Sequence, residues 1–185
     1  IREHLKRGYQ LLRTPHLIKS EIWNTSGHRQ QGYPMYFTEV DGQEYGIKPM
    51  NCPGHILIYK THTRSYRDLP LRYHEQSPLH RNEASGVLSG LTRVRQFAQD
   101  DAHIFVMESQ IGEEVERLLR LVERVYGDFG LAFEMKFSTR PAEFLGEAST
   151  WEHAEAELRQ ALEAVGRPYT IDAGGGAFYG PKIDF

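Results

Sequence analysis

The clearest alternation of polar and apolar positions lies between His80 and His103. Two extended stretches flank a segment of small residues from Ala84 to Gly90, a pattern that predicts a β-hairpin. In the second arm every other side chain falls on one face of the strand, and these side chains are Arg93, Arg95, Phe97, Gln99 and Asp101. Two guanidinium groups, an aromatic ring, an amide and a carboxylate make a poor hydrophobic core. Such a face suits a nucleotide and a small zwitterion.

Apolar positions at helical spacing predict two long helices in the second half of the chain. The first has an apolar stripe over Ile111–Tyr126, with Ser109 as its N-cap and Gly127 as its end. The second is capped by Thr150 and ends before Gly166. The first helix is assigned to structure rather than to chemistry.

The remaining predicted elements are short. Two helices are predicted, over Leu17–Asn24 and from the turn at Met50–His55 to about Arg67. Strands are predicted over Gly8–Pro15, Met35–Val40, Tyr45–Lys48, Leu131–Thr139 and Tyr169–Asp172, and Asp41-Gly42 marks a type I′ hairpin. Hairpin-linked strands with helices between them predict an α+β fold, an antiparallel β-sheet flanked by helices.

Length and composition narrow the class of protein. With 185 residues, 39% of them hydrophobic, the chain can bury a core, and one domain over residues 1–185 is the economical prediction. No apolar run approaches the roughly 18 residues of a membrane helix, and no signal peptide opens the chain. The single cysteine, Cys52, excludes an internal disulfide and suits a reducing compartment. We therefore expect a cytoplasmic protein with no membrane partner.

The charge distribution is uneven along the chain. The net charge is −3, yet residues 60–95 hold seven Lys or Arg against three Asp or Glu. This basic segment on an acidic body suits a phosphate-bearing ligand better than wholesale coating of nucleic acid. An ordinary charged surface is the alternative.

Three side chains of the hairpin are candidates for nucleotide binding. The Arg81 guanidinium can hold a carboxylate and a phosphate oxygen in one planar fork, and Arg93 could hold the outer phosphates. Phe97 offers a stacking plane for a purine. The alternatives are an ion pair of Arg81 with Glu83 or Glu75, a solvated charge at Arg93, and a core position for Phe97.

Cys52 and His103 are candidate zinc ligands because thiolate and neutral imidazole are donors that zinc prefers. A catalytic zinc needs three protein ligands, and only two are obvious here. A small buried hydrophobe is the alternative for Cys52. Asp101 could accept a hydrogen bond from a ligand at the metal, or it could pair with Arg95 or Lys48.

The glycine-rich segment 174–180 lies beside Tyr179 and Lys182. Its permissive backbone makes it a weak candidate for a phosphate cradle. Without a following Gly-Lys-Ser/Thr it is not a P-loop.

Three long motifs carry a resemblance to a known family. They are Met50-Asn-Cys-Pro-Gly-His55, His80-Arg-Asn-Glu83 with Arg93-Val-Arg-Gln-Phe-Ala-Gln-Asp-Asp-Ala-His103, and Gly176-Ala-Phe-Tyr-Gly-Pro-Lys-Ile-Asp-Phe185. In this order they closely resemble the threonyl-tRNA synthetases, which are class II aminoacyl-tRNA synthetases. Further stretches around Pro15, Trp23 and Ser65 resemble the same family, so that the resemblance covers nearly the whole chain.

The resemblance implies a class II catalytic domain that binds ATP with Mg²⁺ on its antiparallel sheet. Arg81, a catalytic residue, would bridge the amino-acid carboxylate and the α-phosphate, and Glu83 would lie near the adenine. Arg93 would meet the γ-phosphate, and Phe97 would stack on the adenine. Pro15 would end the first class II motif, on the side of a homodimer interface.

The resemblance also implies a threonine pocket. Gln99 and Tyr179 would contact the threonine amino group, Asp101 would accept a hydrogen bond from its hydroxyl, and Lys182 would be a further polar, catalytic contact. Cys52 and His103 would be two of three ligands of one Zn²⁺ ion per subunit.

Parts of the family pattern are expected outside this sequence. The third zinc ligand, a histidine, and the third class II motif should follow Phe185, which makes this a C-terminally truncated catalytic domain. Since the editing and anticodon-binding domains would also lie elsewhere, we expect the segment alone to be inactive.

The resulting hypothesis is the catalytic core of a threonine–tRNA ligase, which activates threonine with ATP and transfers it to the acceptor end of tRNA(Thr). Two alternatives come from other classes. One is a non-catalytic synthetase-like module that binds tRNA, and the other is a related ligase for serine or proline. Loss of Arg81, Phe97 or the Cys52–His103 pair would mark the non-catalytic module, and all of them are present.

Overall fold

The chain divides into two compact units. The computed structural model describes all residues from 1 to 185, and the units are residues 1–105 and 106–185. Each unit has its own hydrophobic core and its own β-sheet structure. The single catalytic domain expected from the sequence stays a prediction.

The first unit combines short helices with two three-stranded sheets. The helices are α1 (Arg2–Lys6), α2 (Glu21–Thr25) and α3 (Cys52–Tyr59). The strands are β1 (Gln10–Leu11), β2 (Leu17–Lys19), β3 (Tyr36–Val40), β4 (Gln43–Ile47), β5 (Leu71–His80) and β6 (Gln96–Phe105). The sheet orders are β1-β5-β6 and β2-β4-β3, and only β1 pairs with its neighbour in parallel.

The hairpin predicted from the alternating pattern is confirmed as β5–β6. The two strands pair in antiparallel register from Leu71↔Phe105 to His80↔Gln96. Directly opposed residues of an antiparallel pair share a face, so Glu75 lies on the same face as its partner Asp101. His103 lies two residues after Asp101 and Phe97 lies four residues before it, so both side chains belong to that face as well. The adjacent residue His74 belongs to the opposite face.

A second hairpin, β3–β4, positions the core of the first unit. Asp41 and Gly42 both have positive φ, 52° and 73°, as the predicted type I′ turn requires. Trp23, Met35 and Met50 form the core cluster, and Trp23 is fully buried. Gly46 on β4 leaves room for that indole, since a Cβ at this position would lie 2.6 Å from Trp23 Nε1.

We expect Gly46→Ala to destabilise the first unit by about 1–3 kcal/mol, because the added methyl group would overpack against the fully buried Trp23 and against Met35. Thermal unfolding of the intact protein measures this change. Gly86→Ala is the matched control, since nothing lies within 4 Å of a Cβ added there. Equal stability of the two variants would contradict the packing role of Gly46.

The second unit packs two long helices with a small sheet. Its helices are α4 (Ile111–Asp128) and α5 (Ala148–Val165), and its strands are β7 (Lys136–Ser138), β8 (Thr170–Asp172) and β9 (Lys182–Asp184). The strand order is β8-β7-β9, with β8 parallel and β9 antiparallel to the central strand. The fully or nearly buried core residues are Leu119, Met135, Phe137 and Leu162. Four of the six strand pairings in the chain are antiparallel, and the predicted α+β class is confirmed.

The predicted helix N-caps were wrong by a few residues. Ser109 lies inside a 3₁₀ turn over Glu108–Gln110, and α4 begins after it at Ile111. Thr150 lies inside α5, which begins at Ala148 with Glu147 as its N-cap. The end of α5 is as predicted, because Gly166 has φ 71° and terminates the helix in the left-handed conformation.

Several short elements also differ from prediction. Leu17–Lys19 forms a strand on β4, so only the end of the predicted helix over Leu17–Asn24 is helical. The helix from the Met50–His55 turn ends at Tyr59 rather than Arg67, and a separate 3₁₀ turn capped by Ser65 follows. In the predicted strand Leu131–Thr139 only β7 is extended in a ladder. No helix of the chain combines the length and apolar character that a membrane crossing requires.

A candidate nucleotide and metal site on the hairpin face

Asn51 joins the start of α3 to the face of the hairpin that carries Asp101. Its Nδ2 donates to Asp101 Oδ2 at 3.1 Å, and its Oδ1 accepts from Ser77 Oγ at 3.2 Å. Gly54, in the first turn of α3, lets the helix lie close to Thr14, whose Cγ2 would be 3.0 Å from an added Cβ. The structure therefore brings Cys52, the residue after Asn51, to the face predicted to bind a ligand.

The Cys52 thiol lies within the electrostatic reach of two predicted site residues. Burial raises its pKa to about 11, with the Asp101 carboxylate acting in the same direction and the Arg81 guanidinium against it. The thiol is therefore protonated at neutral pH until a cation compensates the buried charge. Cys52 is partly buried and packs against the core cluster of Trp23, Met35 and Met50, so its alternative as a small buried hydrophobe stays open.

His103 reaches the same helix from the hairpin. Its Nδ1 is 2.8 Å from Nδ1 of His55, one turn after Cys52 on α3. Burial lowers the His103 pKa, Asp101 raises it and His55 lowers it. The ring is neutral as a result, which is the form that binds a metal ion. The two candidate zinc donors thus lie on the same side of the hairpin.

The Arg81 guanidinium lies between two aromatic rings. Its Cζ is 4.8 Å from the centroid of Phe97 and 5.3 Å from that of Tyr33, and its Nε donates to the Pro49 carbonyl oxygen at 3.4 Å. Arg81 forms no ion pair with Glu75 or Glu83, so that alternative was wrong. Phe97 is half-buried under a cation and is not a core residue.

A cleft of about 340 Å³ opens beside Arg81 and Phe97. Its wall includes Glu83 and Arg93, which bind each other, with Arg93 Nη2 at 3.1 Å from Glu83 Oε2. The cleft falls within the range of volumes typical of small-molecule sites, roughly 300–1,000 Å³. A larger cavity, about 670 Å³, lies in the second unit beside Phe185 and contains none of the predicted site residues.

The other predicted residues are placed less closely. Gln99 is exposed on β6 opposite Ser77. Tyr179 and Lys182 belong to the second unit, where Tyr179 is exposed and Lys182 pairs with Asp184 at 2.9 Å. Their place in the threonine pocket stays a prediction.

The phosphate-cradle interpretation of the glycine-rich loop was wrong. Gly174 N donates to Thr139 Oγ1, Gly175 N to the Asp172 carbonyl oxygen, and Gly176 N to the Thr139 carbonyl oxygen. These three backbone amides already donate hydrogen bonds within the chain, so they are not free to bind a phosphate. The glycines serve close packing instead, because a Cβ on Gly175 would lie 2.2 Å from Asp172 Oδ2.

Comparison with known proteins decides the family. The model of the tRNA synthetase class II core domain (G, H, P, S and T) matches residues 36–185. The chain belongs to the class II tRNA synthetase core family.

Similar proteins refine this membership of the class II core family. The chain is 54% identical over 184 residues to the threonine–tRNA ligase of Solidesulfovibrio magneticus, covering 99% of the chain and 28% of that protein. It is 55% identical over 182 residues to that of Campylobacter lari, covering 98% and 30%. A crystal structure of the RNA-binding domain of threonyl-tRNA synthetase from Cryptosporidium parvum has a TM-score of 0.94 at 46% identity, covering 98% of this chain and 46% of that one.

These similarities confirm the resemblance to the threonyl-tRNA synthetases and the class II fold. The chain spans about 30% of the length of the curated relatives it matches. The residue roles, the metal and the dimer stay predictions.

A buried ion pair supports the hairpin of this class II core. Lys48 Nζ is 2.8 Å from Glu75 Oε1, and both side chains are almost completely inaccessible. Thr14 donates to the same carboxylate from its backbone nitrogen at 3.0 Å and from Oγ1 at 2.8 Å, and His55 Nε2 lies 3.1 Å from Glu75 Oε2. The sequence did not predict this network. It suggested Lys48 as a possible ion-pair partner of Asp101, whereas Asp101 accepts a hydrogen bond from Asn51. The available signal was the acidic side chain of Glu75 on the face of a strand that holds buried Tyr73 and Leu79.

A second group of polar side chains lies on the opposite face of the hairpin. Ligand atoms of His4, His74 and Asp100 lie within 4.8 Å of one another, and His74 is fully buried with neither ring nitrogen hydrogen-bonded. The two imidazole rings are stacked, 4.5 Å apart and 14° from parallel. Their lone pairs therefore run side by side and do not converge on one ion.

Proposed function

We propose that the protein containing this chain is a threonine–tRNA ligase, which forms threonyl-adenylate from threonine and ATP and transfers the threonyl group to the 3′ end of tRNA(Thr). One observation carries the proposal. The Cys52 thiol, the His103 imidazole and the Asp101 carboxylate lie near the start of α3. They lie on the side of the hairpin that carries Phe97, which lines a cleft together with Arg81 and Arg93. The similarity to threonine–tRNA ligases supports the choice of amino acid.

ATP, with Mg²⁺, is proposed to occupy the cleft beside Phe97. The adenine would stack on that ring, Glu83 would lie near the adenine, and Arg93 would bind the γ-phosphate. Because Glu83 and Arg93 bind each other in the free chain, nucleotide binding would exchange their ion pair for contacts with ATP. Arg81 would hold the α-phosphate and the threonine carboxylate in one fork.

The donors on α3 and β6 suit a zinc ion. Cys52 offers a thiol that would deprotonate on binding, and His103 offers a neutral imidazole, so two of the ligand types that zinc prefers lie on one side of the hairpin. We expect a histidine as the third ligand. When bound, zinc would act as a Lewis acid that chelates the amino and hydroxyl groups of threonine.

The protein side chains would complete the threonine pocket. Asp101 would accept the hydrogen bond of the threonine hydroxyl, and Gln99 would contact the amino group. Asn51 already fixes one carboxylate oxygen of Asp101, which orients the other. A site built to bind a hydroxyl rejects valine strongly, because buried polar groups are then left unpaired.

Chemistry in this site would rest on positioning and charge. The threonine carboxylate oxygen attacks the α-phosphorus, the bond to the β-phosphate bridging oxygen breaks, and pyrophosphate leaves with the electron pair. Arg81 would neutralise the charge that grows on the α-phosphate. The terminal ribose hydroxyl of tRNA then attacks the carbonyl carbon of the adenylate and releases AMP.

The proposal includes a cytoplasmic homodimer that forms through the region ending at Pro15.

Amino-acid-dependent ATP–pyrophosphate exchange by the intact protein tests this function. We expect threonine to support exchange, valine to be rejected by about 10⁴-fold or more, and serine by only about 10–200-fold, since serine lacks a single methyl group. Exchange with proline or with serine in preference to threonine would favour the related ligases. No exchange with any amino acid would favour the non-catalytic module.

We expect Cys52→Ser to lower the zinc content of the purified intact protein below one ion per chain and to abolish discrimination against valine, because the thiolate ligand is lost. Elemental analysis and exchange kinetics measure the two effects. Ser77→Ala is a control, since it removes a hydroxyl next to Asn51 without removing a proposed ligand. A full zinc complement in Cys52→Ser would contradict the proposed ligand.

A further inference from the structure

A chain of side-chain hydrogen bonds runs from the buried ion pair to the candidate metal ligand. Glu75 Oε2 is 3.1 Å from His55 Nε2, and His55 Nδ1 is 2.8 Å from His103 Nδ1. His55 and Glu75 are both buried, at 0% and 1% exposure, and His103 is partly exposed. The three residues come from α3 and the two strands of the hairpin, so all three elements meet in this chain of bonds.

Glu75 can only accept hydrogen bonds. Lys48 Nζ, the Thr14 backbone nitrogen and Thr14 Oγ1 all donate to it, and these donors hold the pKa of the carboxyl down to about 2 against the effect of burial. An ionised carboxylate has no proton to give. The His55 Nε2 atom that faces it must therefore carry the hydrogen of this bond.

With both imidazoles neutral, the ionised Glu75 fixes the tautomer of each ring. A neutral histidine has one N–H and one lone pair. With its hydrogen on Nε2, His55 presents a lone pair at Nδ1, and the facing Nδ1 of His103 must then be the donor. His103 consequently has its hydrogen on Nδ1 and its lone pair on Nε2.

We propose that Glu75 and His55 are positioning residues that hold His103 in the tautomer whose Nε2 is free to bind a metal ion. The proposal rests on the proposed function only in assigning a metal to His103. Metal-bound histidines commonly donate their second ring N–H to an acceptor that fixes the tautomer and the ring orientation. Here the acceptor is another histidine, which is fixed in turn by a carboxylate. Thr14 and Lys48 also donate to that carboxylate and hold it in place.

Neutron diffraction from crystals of the metal-free intact protein, exchanged into D₂O, tests the tautomers without any metal. We expect a deuteron on Nε2 of His55 and on Nδ1 of His103, and none on Nδ1 of His55. A deuteron on Nδ1 of His55, or on Nε2 of His103 in place of Nδ1, would overturn the proposal.

Zinc affinity of His55→Gln tests the consequence for the metal. Glutamine can still donate an amide N–H to Glu75, so the carboxylate keeps a partner, while the acceptor for His103 Nδ1 is lost. We expect zinc to bind about 10–100-fold more weakly, as for other residues that orient a metal ligand. Competition with a chromophoric chelator measures the affinity.

His74→Gln is the matched control for the zinc titration. His74 is also fully buried and lies next to Glu75 on β5, but it faces the other side of the sheet. We expect its zinc affinity to equal that of the unsubstituted protein. Unchanged affinity in a folded His55→Gln, or an equal loss in His74→Gln, would overturn the positioning role.

The two measurements separate the proposals from each other. If the intact protein binds no zinc while the deuterons lie as expected, the metal assignment in the proposed function is wrong and the tautomer chain stands. If zinc binds at Cys52 and His103 but the deuterons lie elsewhere, only the positioning role fails. If His55→Gln does not fold, the neutron result still decides the tautomers.

Discussion

Arg81→Ala should lower threonine-dependent ATP–pyrophosphate exchange by about 10²–10³-fold, the cost typical of removing one donor that stabilises transition-state charge. In our account the guanidinium bridges the two reacting groups, the threonine carboxylate and the α-phosphate. Most of the loss should fall on kcat, because the charge that Arg81 meets develops in the transition state. Steady-state exchange kinetics with varied threonine and varied ATP measure this split.

The position of Arg81 between Tyr33 and Phe97 also allows a merely structural role. Arg81→Lys separates the roles, because lysine keeps the positive charge and loses the planar fork. We expect this variant to keep the thermal stability of the unsubstituted protein and to remain strongly impaired in kcat. An Arg81→Ala protein with unchanged exchange would rule out the role proposed for the guanidinium.

Lys48→Met should destabilise the first unit by about 3–5 kcal/mol, because it leaves a buried carboxylate without its cation. Lys48 and Glu75 are 0% and 1% exposed in their side chains, so water cannot replace the lost partner. Urea unfolding of the intact protein, with hydrogen exchange of peptides from residues 10 to 80, measures the loss and locates it.

The double variant Lys48→Met/Glu75→Leu is the control for this prediction. Replacing both charges with apolar groups of similar size removes the uncompensated charge, and such replacements are often neutral or stabilising. We expect the double variant to recover much of the stability lost in Lys48→Met. A single variant as stable as the unsubstituted protein would contradict the burial of the pair.

Because of the same ion pair, we expect the stability of the folded protein to depend on pH in the acid range. The Glu75 pKa is lowered in the folded chain from 4.5 to about 2, so the unfolded chain binds more protons between these values. Its contribution to stability is therefore complete above about pH 4.5 and is lost as the pH falls towards 2. The double variant should lack this part of the pH dependence.

The sequence predicted best those parts of the fold that depend on local pattern. The alternation from His80 to His103 identified β5–β6, and Asp41-Gly42 identified the turn between β3 and β4. Both signals act within a few residues, where the backbone preference is strong. Helix starts were less well predicted, because cap-forming residues such as Ser109 and Thr150 lie near each helix start without being the N-cap. The N-cap of α4 is one residue after Ser109, and the N-cap of α5 is three residues before Thr150.

The site shows the same division between local and distant contacts. The alternation of β6 placed Phe97, Asp101 and His103 on one face, and the structure agrees. The network of Glu75 could not be predicted, because its partners Thr14, Lys48 and His55 come from distant parts of the sequence. A fully buried lysine–glutamate pair is also rare, so nothing in the composition favours it.

We propose that one face of the β5–β6 hairpin binds both the metal and the nucleotide. Crystals of the intact protein with zinc, threonine and a non-hydrolysable ATP analogue, measured at the zinc absorption edge, test this claim most directly. We expect an anomalous peak about 2.0–2.3 Å from Cys52 Sγ and His103 Nε2, the bond lengths of zinc to sulfur and nitrogen, with the adenine stacked on Phe97. A zinc peak at His4, His74 and Asp100, or a nucleotide bound away from Arg81 and Phe97, would contradict it.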